Sequence, residues 1–130
     1  MSSGERSYLL DTNVLIWLSS DLRRVPPAVL DLLEEPDSHL FASTISFWEL
    51  AIKQSLGKLD SVIRFDIMTG EYGIRELAIV SRYMNALRQL PMLHGDPFDR
   101  MLVAQALTDG MTLVTSDRFI AEYPVAVLRV

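Results

Sequence analysis

Residues 8–20 read YLLDTNVLIWLSS, and the change of character at Asp11 decides the fold. Tyr8 to Thr12 has the length and apolar content of a short buried strand. Asn13 to Ser20 follows without a turn and offers Val14, Leu15, Trp17 and Leu18 as the packing face of a helix. A strand that feeds straight into a helix is the start of a βαβ unit, in which the next strand runs parallel to the first. The acid at the junction would then sit at the carboxyl edge of a sheet, where open α/β folds place their sites.

The rest of the chain repeats that alternation. Pro26 and Pro27 suit the first turn of a second helix, which extends through Glu34 before Pro36 and Asp37 break it. His39 to Ile45 reads as a second strand. Ser46 then caps a third helix, which ends near Leu56 at Gly57. A helix over 61–72, a strand from Ile74 to Ile79 and a helix from Ser81 to before Pro91 follow. Asp96-Pro97 is a strong helix start after the loop from Pro91 to Gly95, and that helix runs through Ala106 to Gly110. Met111 to Thr115, a helical turn from Asp117 to Glu122, and Val125 to Val130 complete the pattern. Strands alternating with helices predict a three-layer α/β/α sandwich around a mostly parallel sheet.

At 130 residues the chain fits one domain with one core. Residues 1–7, MSSGERS, read as a loose polar tail and residues 8–130 as the domain. Without cysteine there is no disulfide, thiolate metal site or cysteine nucleophile. Charges interrupt every apolar stretch well short of the roughly 20 residues that a membrane helix needs, and the N-terminus lacks the apolar run of a signal peptide. A cytoplasmic protein is expected. The net charge of −5 opposes nucleic-acid binding at first sight, but ten of the twelve basic residues are arginines, which suit phosphate.

Four acids recur at turning points: Asp11 and Asp117 after apolar runs, Glu49 and Asp99 inside helices. Each has a local explanation. Asp11 and Asp117 could cap the helices they precede. Ser46 to Glu49 has the spacing of a capping box. Asp99 could simply favour a first helical turn that Asp96 caps. Brought together at one sheet edge, however, four carboxylates need a compensating cation, and a hard divalent ion prefers oxygen ligands. No basic residue in these segments is expected to take the cation's place.

LLDTNVLIW, ISFWELAIKQSLGKL, HGDPFDRMLVAQA and LVTSD, in this order, resemble a PIN-domain protein, and more narrowly the VapC-type ribonuclease toxins of VapBC modules. The resemblance runs from Tyr8 to Val130. It implies a PIN-like fold and an acidic quartet of Asp11, Glu49, Asp99 and Asp117 that is both catalytic and metal-ligating. Asn13, Thr115 and Ser116 match its supporting polar positions, and Asp96 stands beside them as a cap. His94 falls where the family often has histidine, a possible general base; His39 is the only other histidine.

The function so implied is hydrolysis of RNA by water activated by one or two Mg²⁺ or Mn²⁺ ions. Arg100 and Arg118, each following a site acid, are candidate phosphate contacts, with a solvated charge or an ion pair as the alternative. The resemblance also implies a cognate VapB-type antitoxin and a homodimer, with the apolar helices around Trp17 and Trp48 as candidate surfaces. Trp17, Phe47 and Trp48 read as core or interface anchors. Two other functions stay open: phosphate transfer through Asp11 as nucleophile, and a non-catalytic metal-binding interaction domain. Asn13 in place of a second acid, and the absence of any lysine after Lys58, weigh against the first.

Overall fold

Among the described residues, five parallel strands form the central sheet, in the order β3-β2-β1-β4-β5. The computed structural model describes residues 6–59, 70–93 and 95–130. The strands are β1 (Arg6–Leu10), β2 (Ser38–Ser43), β3 (Arg75–Leu77), β4 (Thr112–Thr115) and β5 (Val127–Arg129). Five α-helices lie wholly within the described residues: α1 (Thr12–Ser20), α2 (Pro27–Glu34), α3 (Thr44–Ser55), α4 (Met84–Gln89) and α5 (Pro97–Asp109). Short 3₁₀ turns cover Leu22–Arg24, Ser81–Tyr83 and Ile120–Glu122.

Side chains alternate across β1 and divide the core in two. Tyr8 and Leu10 pack with α1, α2 and β2 residues on one face, whereas Leu9 packs with Leu113, Met101 and Leu102 on the other. The expected three-layer sandwich is present, and every strand pairing is parallel. The chain order reverses between β1 and β4. From there the sheet grows outward through β2 and β3 on one side and through β5 on the other.

Several boundaries differ from the sequence reading, each for a physical reason. β1 begins at Arg6, not Tyr8, because the Arg6 N–H donates to Asp37 O at 3.0 Å and extends the pairing with β2. It ends at Leu10, and Thr12 opens α1 instead of closing the strand. β2 stops at Ser43, two residues before Ile45. The Ser43 hydroxyl accepts from Ile45 N at 3.1 Å and so caps α3 in place of Ser46. The capping-box reading therefore fails. β3 is shorter than Ile74 to Ile79 because its ladder with β2 has no partner past Ser43. The helix expected from Ser81 starts as a 3₁₀ turn. The one expected over 61–72 lies outside the described residues except at 70–72, which are helical. Asp96, Pro97 and Gly110 behave as read: the Asp96 carboxylate accepts from Phe98 N, and Gly110 closes α5 at φ +66°.

Replacing Ser43 by Ala should cost about 1 kcal/mol of unfolding free energy in urea titration, the usual loss for a serine cap. Wild-type stability in that variant would assign the start of α3 to another residue.

Candidate active site

The reversal of strand order leaves a crevice at the carboxyl ends of β1 and β4, the usual location of sites in open α/β sheets. Asp11 stands directly after β1, and its backbone N–H donates to Val114 O of β4 at 3.0 Å. Asp117 follows β4 by two residues. Helices that connect parallel strands run back against them, so the start of α5 returns to the same edge and carries Asp96 and Asp99. Glu49 comes from the second turn of α3, which leaves the end of β2.

These elements enclose a cavity of about 250 Å³ lined by Asp11, Thr12, Asn13, Glu49, Lys53, Asp96, Asp99 and Asp117. All four acids singled out in the sequence are on its wall. Among the described residues, no three carboxylates or histidines converge closely enough to form a ready metal cage. The acids face a common space without closing on one point.

Asp11 is buried and accepts from Val14 N at 2.9 Å, so the helix-cap reading holds for it, and the same residue lines the cavity. Burial pushes its carboxyl above the usual range; the Thr115 hydroxyl and Val14 N–H oppose that rise, while Asp117 and Glu49 add to it. Thr115, fully buried, also accepts from Asp117 N at 3.0 Å and so ties the two acids to one hydroxyl. Asp117 in turn accepts from Phe119 N at 2.8 Å. Asp99 is pushed up to about 7, first by burial and then by Asp96, Asp117, Asp11 and Glu49.

Glu49 is held differently. Thr12 Oγ1 donates to its Oε1 at 2.8 Å, and Lys53 Nζ lies 3.2 Å from its Oε2. The Thr12 hydroxyl also shares a hydrogen bond of 3.0 Å with Ser46 Oγ, which is why Ser46 is buried inside α3 and not at its start. Thr12 and Lys53 were not among the site residues expected from sequence. The signal for Lys53 was available, because a lysine four residues after a glutamate shares its helix face. It also corrects the expectation that no basic side chain would enter the acidic site.

The other candidates are dispersed. Asn13 is exposed at the cavity wall. Ser116 is half-buried beside Asp117 but does not line the cavity. Arg100 points elsewhere: it donates to Pro91 O at 2.9 Å and Tyr123 Oη at 3.2 Å, with Leu87 O and Leu90 O at 3.5 Å. The carbonyls at the end of α4 and just after it hold it there. Arg118 is exposed and lies over the Phe119 ring at 5.5 Å. His39 lines a separate cavity with Glu34, Glu35 and Tyr72, and His94 lies outside the described residues. Trp17 and Phe47 pack against the core as expected of anchors. Trp48 is 58% exposed and tilts against Phe98, with ring centroids 5.7 Å apart.

A carboxyl raised from 3.8 to about 7 favours the folded state below its unfolded pKa, and that contribution is lost as pH climbs through about 7. Metal-free protein should therefore lose stability between about pH 4 and pH 7, and Asp99→Asn should not share that loss. With the shift discounted for a half-exposed group, Asp99→Asn should be more stable by about 1–2 kcal/mol at pH 8 in chelator. The difference should vanish towards pH 4. Equal pH profiles for the two proteins would show that Asp99 is not under this repulsion.

Residues 8–125 match the family model described as PIN domain. A curated relative, Ribonuclease VapC22 of Mycobacterium tuberculosis (strain ATCC 25618 / H37Rv), is 31% identical over 116 residues, covering 86% of this chain and 88% of the relative. The fold is similar to that in the crystal structure of VapBC2 from Rickettsia felis bound to a promoter DNA fragment. The TM-score there is 0.72 at 17% identity, over 95% of this chain and 98% of that one. A toxin-antitoxin complex from Klebsiella pneumoniae gives 0.63 at 21% identity, over 93% and 95%. With its acids on one crevice of a parallel sheet and its sequence matched from Tyr8 onward, the chain belongs to the PIN-domain family, in its VapC-type branch.

Proposed function

We propose that the protein is a divalent-metal-dependent endoribonuclease and the toxin of a toxin–antitoxin pair. The observation that carries this reading is the gathering of Asp11, Glu49, Asp99 and Asp117, from four separate elements, onto one cavity, where burial first, and then repulsion from Asp96 and the other acids, raise the Asp99 pKa. Such repulsion is a standing demand for positive charge. RNA as substrate is supported by the relative named a ribonuclease, and an antitoxin by the similar toxin-antitoxin complex.

The donor set consists of carboxylate oxygens, which fits Mg²⁺ or Mn²⁺. Asp11, Asp99 and Asp117 would hold the ion. When bound, it supplies a Lewis acid that lowers the pKa of water and offsets charge on the phosphate. The Thr115 hydroxyl fixes how Asp11 and Asp117 face the cavity. Glu49, with both oxygens engaged, is fixed well enough to orient the attacking water. Asn13 and Ser116 support the edge, and Asp96 holds the α5 turn that carries Asp99. Arg118, outside the cavity, fits a phosphate flanking the scissile one.

A second copy of the chain would cover the apolar side of α3, where Trp48 is 58% and Leu56 61% exposed. Burial of a large aromatic side chain contributes strongly at interfaces, and twofold pairing is the commonest closed arrangement. No helix among the described residues is long and apolar enough to cross a membrane. The reading places the protein with its RNA in the cytoplasm.

Purified protein should cleave a mixed RNA pool with Mg²⁺ or Mn²⁺, stop on chelation and resume when metal returns. Full activity in verified metal-free buffer would refute the mechanism. Two substitutions three residues apart sharpen the assignment. Asp96→Ser keeps a capping oxygen, so it should lose at most about 0.5 kcal/mol of stability and keep most activity. Asp99→Asn should abolish cleavage and weaken metal binding. The opposite outcome would move the ligand to Asp96. Light scattering should return a dimer mass that falls to the monomer in Trp48→Glu; a wild-type monomer at high micromolar concentration would remove the pairing.

A further inference from the structure

Phosphate must enter a cavity walled by five carboxylates, and the two arginines that follow site acids do not line it. Arg100 is occupied by backbone carbonyls after α4, and Arg118 lies outside against Phe119. Among the described residues, the single cationic side chain on the cavity wall is Lys53. We infer that Lys53 is the substrate-phosphate contact of this site, its ammonium bridging Glu49 and a non-bridging oxygen of the RNA backbone. The inference rests on the ribonuclease reading above and names how that site takes its substrate.

The plain alternative is a surface ion pair between residues four apart on a helix, worth only a few tenths of a kcal/mol. Two features argue for more. Glu49 does not depend on Lys53 for its position, because Thr12 already donates to its other oxygen at 2.8 Å. The ammonium also keeps donors to spare. It carries three N–H groups, one of which serves Glu49 at 3.2 Å, its side chain is 39% exposed, and it stands on the cavity wall where a ligand would enter. A phosphate that meets it would lie beside the acids that hold the metal. No other described cation on the wall could take that place.

The test is binding of a fluorescein-labelled, mixed-sequence single-stranded RNA, read by anisotropy over a range of salt with Ca²⁺ in place of Mn²⁺. Lys53→Met keeps the aliphatic stem and removes the charge. It should weaken binding about tenfold, the scale of one charge-assisted hydrogen bond. The slope of log affinity against log salt should become shallower by about 0.7, one contact on a single strand. Mn²⁺ affinity, by titration calorimetry, should stay equal or improve, because a cation has left an acidic cavity. Melting temperature should not change. Lys53→Arg keeps the charge, so it should recover the salt slope while leaving affinity below wild type, because its fork also engages Glu49. Wild-type RNA affinity and slope in Lys53→Met would overturn the inference, as would a matching loss of Mn²⁺ binding, which would make Lys53 a support for Glu49 alone. Absence of RNA binding by the wild type would overturn it too. If the wild type binds RNA through Lys53 but cleaves none with Mn²⁺, the ribonuclease reading falls and the phosphate contact stands.

Discussion

Asp11 sits where β1 and β4 meet, and the arrangement of the site follows from keeping a carboxylate there. Its backbone N–H completes the pairing with Val114, and its side chain starts α1 by accepting from Val14. It is 5% exposed, so water does little to solvate its charge. The hydrogen bonds from Val14 and Thr115 offset part of that cost, and the neighbouring acids increase it. The same residue is therefore a structural hinge between strand and helix and the most buried charge of the cavity. Removing the charge would relieve the site, whereas removing the hydrogen-bonding oxygen would leave the start of α1 without its cap.

Thr115 and Thr12 divide the acids into two groups. Thr115 links Asp11 to the backbone of Asp117, so these acids keep a fixed relation across the strand ends. Thr12, one residue after Asp11, reaches to α3 and holds Glu49, which Lys53 also neutralises. Asp99 enters from the first turn of α5 and feels the other acids through the open space of the cavity. Among the described residues, Glu49 is the one of these four acids that pairs with a cationic side chain. The charges are not equivalent, although they line the same wall.

The fold was legible because its signals were local and agreed with one another. YLLDTNVLIW changes period at the correct place to within a residue or two, and Asp96-Pro97 and Gly110 mark both ends of α5 by backbone chemistry alone. The start of α3 was not legible. Thr44 and Ile45 favour strands by their branched side chains, but β2 ends at Ser43, and the serine that caps is the one placed at the sheet edge. Ser46, the better local candidate, is used for contact with Thr12, a residue 34 positions away. Of the candidate site, the acids were singled out by their joint placement at turning points and by the family resemblance, since each alone also reads as a cap or first-turn residue. Arg100 could not be excluded, since the carbonyls that hold it belong to another helix and a following loop.

Lysine at position 53 also makes chemical sense against an arginine. A guanidinium in reach of Glu49 would close a two-pronged pair with the carboxylate, and a planar fork so engaged turns most of its donors to one partner. The ammonium is a compact point charge that can face a carboxylate and a phosphate together. Its four-carbon stem spans the distance from α3 to the cavity while staying partly exposed. In a chain with ten arginines and two lysines, the acidic cavity is lined by one of the lysines. That placement answers the electrostatic objection raised by a net charge of −5. On the ribonuclease reading proposed above, the whole molecule need not attract RNA, because one positive group already stands among the acids of the cavity.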